Sequence, residues 1–530
     1  MLTPVAGCLG VLLIATAAPH ASAAGEMTAA TFSERVRARS VSLTGARVVG
    51  DVTLGSGAVR GLVCRDCHFD GNLIASGTTF QRTVDLSGSD FAGEVDLSGA
   101  RLARGVHARG ATFNGIVNLR GAQVDGDVDM SKAHFKAQVV SGMTPGSQEA
   151  TTKFAADVDF SLATFSDLVA FENAVFSDNV DFTLARFGTD AIFAGGTSLG
   201  RATFARAVFR GPADFTQFTF EGPATFDGAQ FADHADFGVT SFIGRVVFAR
   251  ARFGKGATFV GATFPIQANS GGSEDSFYGA QADGDLNFAF ADVSRPAGFE
   301  YVVVTGTISF SEATLPHASA LHFFHVSASS FDMDVDAAMD AVRHDRTTDD
   351  RPEVLKLIES SAKAKNDLAD ANDAHYARQV LKSEQYSVPL RQLDFIFYRT
   401  IAGYFVRPFR PLIALLAIAS IFTLARMIRA RAASARAQDA PPATPHSRRT
   451  VAGAVAHAGR GIGRAVRALG EFATSLLTTL TLIAPARKGS EPERQGRQIE
   501  IWTYRILFAC ALIGFANSNP TLREMFDAVR

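Results

Sequence analysis

The chain has 530 residues, 47% of them hydrophobic and 20% charged, with a mean hydropathy of +0.11. A net charge of −2 argues against a nucleic-acid binder, four Cys cannot staple a chain of this length, and 47 Gly with only 18 Pro exclude collagen. The slightly apolar balance points to a membrane-associated part, and 44 Phe against 7 Tyr and 1 Trp mean that some element repeats Phe.

Residues 1–23 run from an apolar stretch, Val5 to Ala18, through Pro19-His20 into Ala21-Ser22-Ala23, the small-x-small pattern that signal peptidase reads. This predicts a signal peptide cleaved before Ala24 and an exported protein. Further on, Cys64-Arg65-Asp66-Cys67-His68 has the spacing of c-type haem attachment, two thiols and an iron-binding His. The competing expectation is a pair of structural thiols or a local disulfide, because Cys64 falls on an inward-facing lattice that leaves no room for a macrocycle.

That lattice is the main signal. Phe stands at 154, 160, 165, 171, 176, 182, 187 and 193 and then from Phe204 to Phe264, in steps that alternate six and five. Leu199 fills the one vacancy, and the one slip is the step of five from Phe204 to Phe209. The same lattice runs earlier through smaller apolar residues from Phe69 to Phe135, and later from Phe288 to Leu315. A small or β-branched residue sits two positions before each lattice residue, so both point inward along a short extended segment, and Gly, Ser, Asn or Asp follow at a turn. A helix would need spacings of three and four. Phe160, Phe171, Phe182, Phe215, Phe226, Phe237, Phe248 and Phe259 are the expected structural core.

Within this region Asp125, Asp127 and Asp129 alternate, which predicts one outer strand face able to hold a hard cation; three carboxylates alone rarely suffice, and a solvated acidic face is the competing reading. Asp332, Asp334 and Asp336 suit a helix N-terminus. Between 40 and 331 the chain carries 30 acids and 20 bases.

The unit, Ala-x-Phe followed by Val-Asp-Phe, resembles the pentapeptide-repeat proteins in their Phe-rich variant, and the resemblance covers about residues 40–331. It implies a mainly β fold, a right-handed quadrilateral β-helix whose faces of five and six residues close a coil of 22. Roughly a dozen coils at about 4.8 Å each give a rod about 60 Å long. Residues 136–153 and 265–276, rich in Gly, Ser and Gln, interrupt it as loops. Acidic rods of this family resemble DNA to a topoisomerase, a role that demands a cytoplasmic protein and conflicts with the signal segment.

Residues 332–400 read as a helical linker and cap, with Val354, Leu357, Ile358, Ala362 and Leu368 on one face. Together with Asp394 to Tyr404 and Asn517 to Arg523, this part resembles membrane-anchored bacterial members of the same family. Pro411 to Ile428 and Ile499 to Phe515 are apolar runs, which predicts spans at 409–428 and 499–517. The loop 429–498 holds 12 Lys and Arg, among them Arg429, Arg431, Arg448 and Arg467, against four acids, and is expected to be cytoplasmic. Its stretch Val451 to Pro485 is amphipathic and expected on the inner membrane surface. Thr478 to Ile483 can be compared with the pore loop of a two-span channel, but it lacks the Gly-Tyr-Gly whose carbonyls coordinate the ion. Residues 518–530 form a short tail.

No nucleophile elbow, phosphate loop or zinc spacing occurs, and His322 and His325 are the nearest to a His pair. The expectation is a non-catalytic β-helix scaffold or protein-binding surface on the extracytoplasmic side of a bacterial cytoplasmic membrane, with no cofactor, metal or nucleic acid and an unnamed protein partner. A homo-oligomer is compatible with it. The alternatives are a channel-like protein with a degenerate pore loop, and a c-type haem or thiol redox protein using Cys64, Cys67 and His68.

Overall fold

A computed structural model of the chain describes residues 25–142, 151–266, 274–315, 321–336, 338, 352–384, 387–402 and single positions between 409 and 428. The chain divides into two compact units, Met1–Glu353 and Val354–Arg530. The expected signal peptide at 1–23, the loop at 429–498 and the second span at 499–517 lie outside the described residues.

The first unit is a mainly β solenoid of short parallel strands. Val84 pairs with Val106, Asp90 with Thr112, Val95 with Val117 and Arg101 with Gln123, so each of four faces repeats after 22 residues. One face alone is a ladder of 13 strands, from Val41–Thr44 to Leu321–Phe324, which makes about 13 turns. Most strands are two residues long because only one outward and two inward positions fit between corners. The register lengthens to 30 residues between Val128 and Val158 and to 29 between Val247 and Ser276. The expected loops are therefore shorter than 136–153 and 265–276, since Val139–Val140 and Asp275–Ser276 are strands of the ladders.

Four columns of side chains fill the interior, one behind each face. Phe69 stacks on Phe91 at 4.8 Å between ring centroids, Phe187 on Phe209 at 4.5 Å, Phe193 on Phe215 at 4.8 Å and Phe204 on Phe226 at 4.9 Å, close to the spacing of the strands that carry them. Adjacent columns meet edge to face, as Phe193 and Phe204 do at 5.5 Å and 85°, the arrangement that ring quadrupoles favour. Phe160, Phe171, Phe182, Phe215, Phe226, Phe237, Phe248 and Phe259 are all fully buried.

Leu199 does not belong to the lattice. It is exposed, and the inward position is Ser198, which pairs with Phe176 below and Phe220 above. With Ser198 in place the steps alternate five and six without a slip. The volume missing at Ser198 is recovered by Phe218, whose buried ring lies 4.4 Å from Phe220 and covers Gly196; a Cβ on Gly196 would stand 2.7 Å from the Phe218 ring.

Alternate corners between faces are made with a left-handed residue. Gly88, Gly110 and Gly228 take it at φ 65 to 69°, but Leu162, Leu184 and Val239 adopt φ 60, 60 and 55° at equivalent corners. For a β-branched residue such as Val239 this is strained, and its side chain is 62% exposed, so no burial offsets the strain.

A helix not foreseen from the sequence, α1 (Ala29–Ala38), covers the first coil. Thr28 caps it, Ala29, Phe32 and Val36 are buried, and Phe32 meets Phe69 edge-on at 5.5 Å, closing the ring column. Arg37 donates to the carbonyls of Thr53 and Leu54 at 2.8 and 3.0 Å.

The second unit holds α2 (Pro352–Ala364), α3 (Leu368–Glu384), α4 (Val388–Leu393) and a π-helix, Asp394–Ala402. The helical cap expected within 332–400 is broken at Asn366, which takes φ 59°, and the Asp367 carboxylate accepts from the amides of Ala369 and Asp370 to start α3. Val354, Ile358 and Ala362 are buried, and Leu355 joins them in place of the half-buried Leu357. Among the described residues no helix is long and apolar enough to cross a membrane; the described positions between 409 and 428 are helical.

Two stability changes are expected. Gly196→Ala should cost about 1–3 kcal/mol by overpacking, and much less in a Phe218→Ala background. Equal costs in both backgrounds, measured by thermal or denaturant unfolding, would show that the two residues do not share space. Val239→Gly should stabilise by up to about 1 kcal/mol, because the left-handed strain it removes outweighs the added chain entropy and the little surface Val239 buries; a lower melting temperature would contradict this.

Candidate binding surface

The outer positions of the coils decide what the rod can contact. Asp85, Asp96, Asp129, Asp159, Asp181, Asp214 and Asp236 each stand outward on a strand, and each accepts the amide of the residue two further on at 2.7 to 3.1 Å. These carboxylates cap the corners, as short polar side chains do in Asx turns. Other acids pair with cations about one coil away: Asp70 with Arg47 at 2.9 Å, Asp125 with Arg101 at 2.8 Å, Asp227 with Arg250 at 2.6 Å and Asp233 with Lys255 at 2.7 Å. The Arg47 hydrogen bond holds Asp70 below the ordinary carboxylate range, and the Lys255 hydrogen bond does the same for Asp233. Much of the acidic surface is thus occupied by the fold itself.

Asp125, Asp127 and Asp129 do not share a strand face. Asp125 follows the strand Gln123–Val124 of one ladder and Asp129 lies in Val128–Asp129 of the next, so a corner separates them. Asp125 is engaged by Arg101, and Asp129 accepts from the amide and hydroxyl of Ser131 at 3.0 and 2.6 Å. Among the described residues no group of three or more His, Cys, Asp and Glu is arranged to hold a metal ion.

Cys64 and Cys67 are joined in a disulfide with Cα atoms 5.6 Å apart, and both are buried. The bridge spans a corner at Asp66, which has φ 51°. Ser89 ties it to the next coil, accepting from the Cys67 amide at 3.0 Å and donating to the Cys64 carbonyl at 2.7 Å. His68 points outward, with Nε2 2.9 Å from Asp70 and Nδ1 2.8 Å from Asp90. In this structure the three residues build a corner of the rod. His322 and His325 also part company: His322 faces Glu274 at 3.5 Å, while His325 packs on Phe324 and Tyr301. Asp334 accepts the amide of Asp336 at 2.9 Å at the start of a helical stretch. Thr478 to Ile483 lies outside the described residues.

One buried ionic group was not foreseen. Asp275 and Arg295 are each 1% exposed and bonded at 2.9 Å. All five guanidinium N–H groups are used: Nε donates to Asp275, Nη1 to the carbonyls of Ile243 and Pro265, and Nη2 to those of Phe242 and Gly244. Asp275 in turn accepts the Val246 amide at 2.8 Å. The pair closes the corner beside the insertion at 267–273. A signal for it exists, since Asp275 stands two residues before Phe277, at an inward position that is Val84, Val106, Ala224 or Val246 in other coils. Burial pushes the Asp275 carboxyl up to about 6, against the pull of Arg295. In the second unit Glu359 is buried and accepts from Lys363, from His375 and from Arg378. Burial alone would raise this carboxyl, but the hydrogen bonds of His375 and Lys363 and the charge of Arg378 outweigh it and hold it down at about 2.

The last coils also carry an aromatic corner. Tyr278 meets Tyr301 at 5.5 Å and Tyr301 meets Phe324 at 5.2 Å, with both Tyr exposed.

A family model described as pentapeptide repeats (9 copies) matches residues 65–107 and 215–265, both within the ring-stacked solenoid. No curated protein and no solved structure matches the chain. The two matched segments are pentapeptide repeats, and they lie in the Phe-rich part of the chain.

The buried pair makes a pH prediction. Because the folded carboxyl of Asp275 titrates above its unfolded value of 3.8, the native state holds a proton that the unfolded chain has released, so this group's contribution is fully present below that value and is lost as pH rises to about 6. The stability advantage of the native protein over Asp275→Asn should therefore shrink across that window, and a difference independent of pH would refute the assignment. Arg295→Met should cost about 3–5 kcal/mol at neutral pH, since it leaves a buried carboxylate without its cation and four carbonyls without this donor.

Proposed function

We propose that the protein is a membrane-anchored, non-catalytic scaffold whose β-helix presents a protein-binding surface outside a bacterial cytoplasmic membrane. The observation that carries the anchoring is the placement of exposed apolar side chains. Among the described residues 22 large hydrophobic side chains are exposed, and eleven of them fall between Val388 and Ile428. Soluble surfaces rarely concentrate apolar groups in this way. The pentapeptide-repeat solenoid supports the scaffold reading, because it offers about 13 turns of regular outer surface with an aromatic corner at its C-terminal end. Tyr at such positions combines a large apolar contact with a polar tip, which suits a protein partner.

The outward placement rests on the signal segment at 1–23 and on the basic loop at 429–498. A reporter that fluoresces only in the cytoplasm should glow when fused after Arg449 and stay dark after Tyr386. The opposite pattern would put the rod in the cytoplasm and overturn this reading.

A further inference from the structure

We infer that Val388–Ala402 is a second, peripheral membrane contact that lies in the headgroup layer and binds anionic lipid. The inference rests on the anchoring proposed above and adds to it the class of lipid that is bound. Val388, Leu390, Phe395, Ile396 and Tyr398 are each at least half exposed within one short helical stretch, and two of the five are aromatic. At about 1.5 Å per residue the 15 residues reach about 22 Å, short of a hydrocarbon core of about 30 Å, so the stretch lies on a bilayer and does not cross it. Between 388 and 410 the sequence has four Arg, at 391, 399, 407 and 410, and one acid, Asp394, which complements a phosphate-rich surface. The Arg399 guanidinium stands 5.7 Å from the centre of the Phe395 ring, so a cation and an apolar ring lie side by side, as amphipathic side chains do where lipid meets water.

The same group is tied to the apolar run that follows. Arg410 Nη1 donates to the Arg399 carbonyl and to the Tyr376 hydroxyl, both at 2.8 Å, and its guanidinium lies 5.0 Å from the Tyr376 ring. The start of the apolar helix, the end of the π-helix and α3 are thereby held together, so a bilayer that takes in Ile413, Leu416 and Ile421 meets Phe395 and Tyr398 at its surface. A protein partner would also cover apolar groups, but it has no general need for four Arg against one acid.

The test uses the full chain carrying Trp502→Phe and Phe395→Trp, which leaves one Trp at the site, reconstituted into vesicles of phosphatidylcholine with or without phosphatidylglycerol. Lipids brominated near the headgroup should quench this Trp more than lipids brominated near the chain end, and more when phosphatidylglycerol is present. Arg391→Gln with Arg399→Gln should abolish the dependence on phosphatidylglycerol. Unquenched, water-exposed emission from a chain that still sediments with the vesicles would overturn the peripheral contact and leave the anchoring standing. Equal quenching with and without phosphatidylglycerol would overturn the anionic specificity. A chain that does not sediment with vesicles would overturn the anchoring and this inference with it.

Discussion

Everything in the solenoid depends on the stacking of each inward side chain on the one a coil earlier. Parallel strands about 4.8 Å apart bring equivalent residues to within ring-stacking distance, so a Phe column gains most when every coil supplies a ring. The 22-residue register follows from this, because a shift of one residue would turn every ring outward. The corners follow in turn. They must turn the chain from one face to the next in two or three residues at fixed places, which is why Leu162, Leu184 and Val239 accept left-handed backbone that Gly would take without strain.

Where the column is interrupted, the fold compensates locally. Ser198 leaves a gap in one column, and Phe218, one coil on, fills it over Gly196. Near the insertion at 267–273 the interior accepts a charge, and Arg295 offsets the cost by spending every N–H it has on Asp275 and four corner carbonyls. A Lys could not do this, since it has three donors on one atom in place of a planar fork. The N-terminal end is closed by other means, with Phe32 edge-on to the first ring of a column and a disulfide between Cys64 and Cys67 across the corner.

The outer surface obeys the same economy. A repeated Asp at the outward position answers the open amide at the next corner, and many remaining acids are met by Arg or Lys of a neighbouring coil. Charge on this rod is therefore largely structural, and the features left for a partner are apolar: the aromatic corner of the last coils and, in the second unit, the exposed apolar residues from Val388 onward.

The sequence alone determined the architecture, because a repeat states its own geometry: steps of five and six can only be extended segments and corners, and the inward identity of Phe160 through Phe259 follows from position. It also marked Pro411 to Ile428 as an apolar run and 429–498 as a basic loop. The tertiary structure decided what periodicity cannot. Leu199 is more hydrophobic than Ser198, so hydropathy favoured the wrong residue until pairing with Phe176 and Phe220 placed Ser198 inside. Asp125, Asp127 and Asp129 alternate as a strand face would, yet a corner falls between them and gives each its own surroundings. The burial of Arg295 has no local sequence signal, because the carbonyls it satisfies come from residues 242 to 265 and meet it only once the coils are stacked. Local sequence specifies which way a side chain points; which groups lie 22 or more residues away at its tip is set by register, insertions and corners, and these exist only in the closed coil.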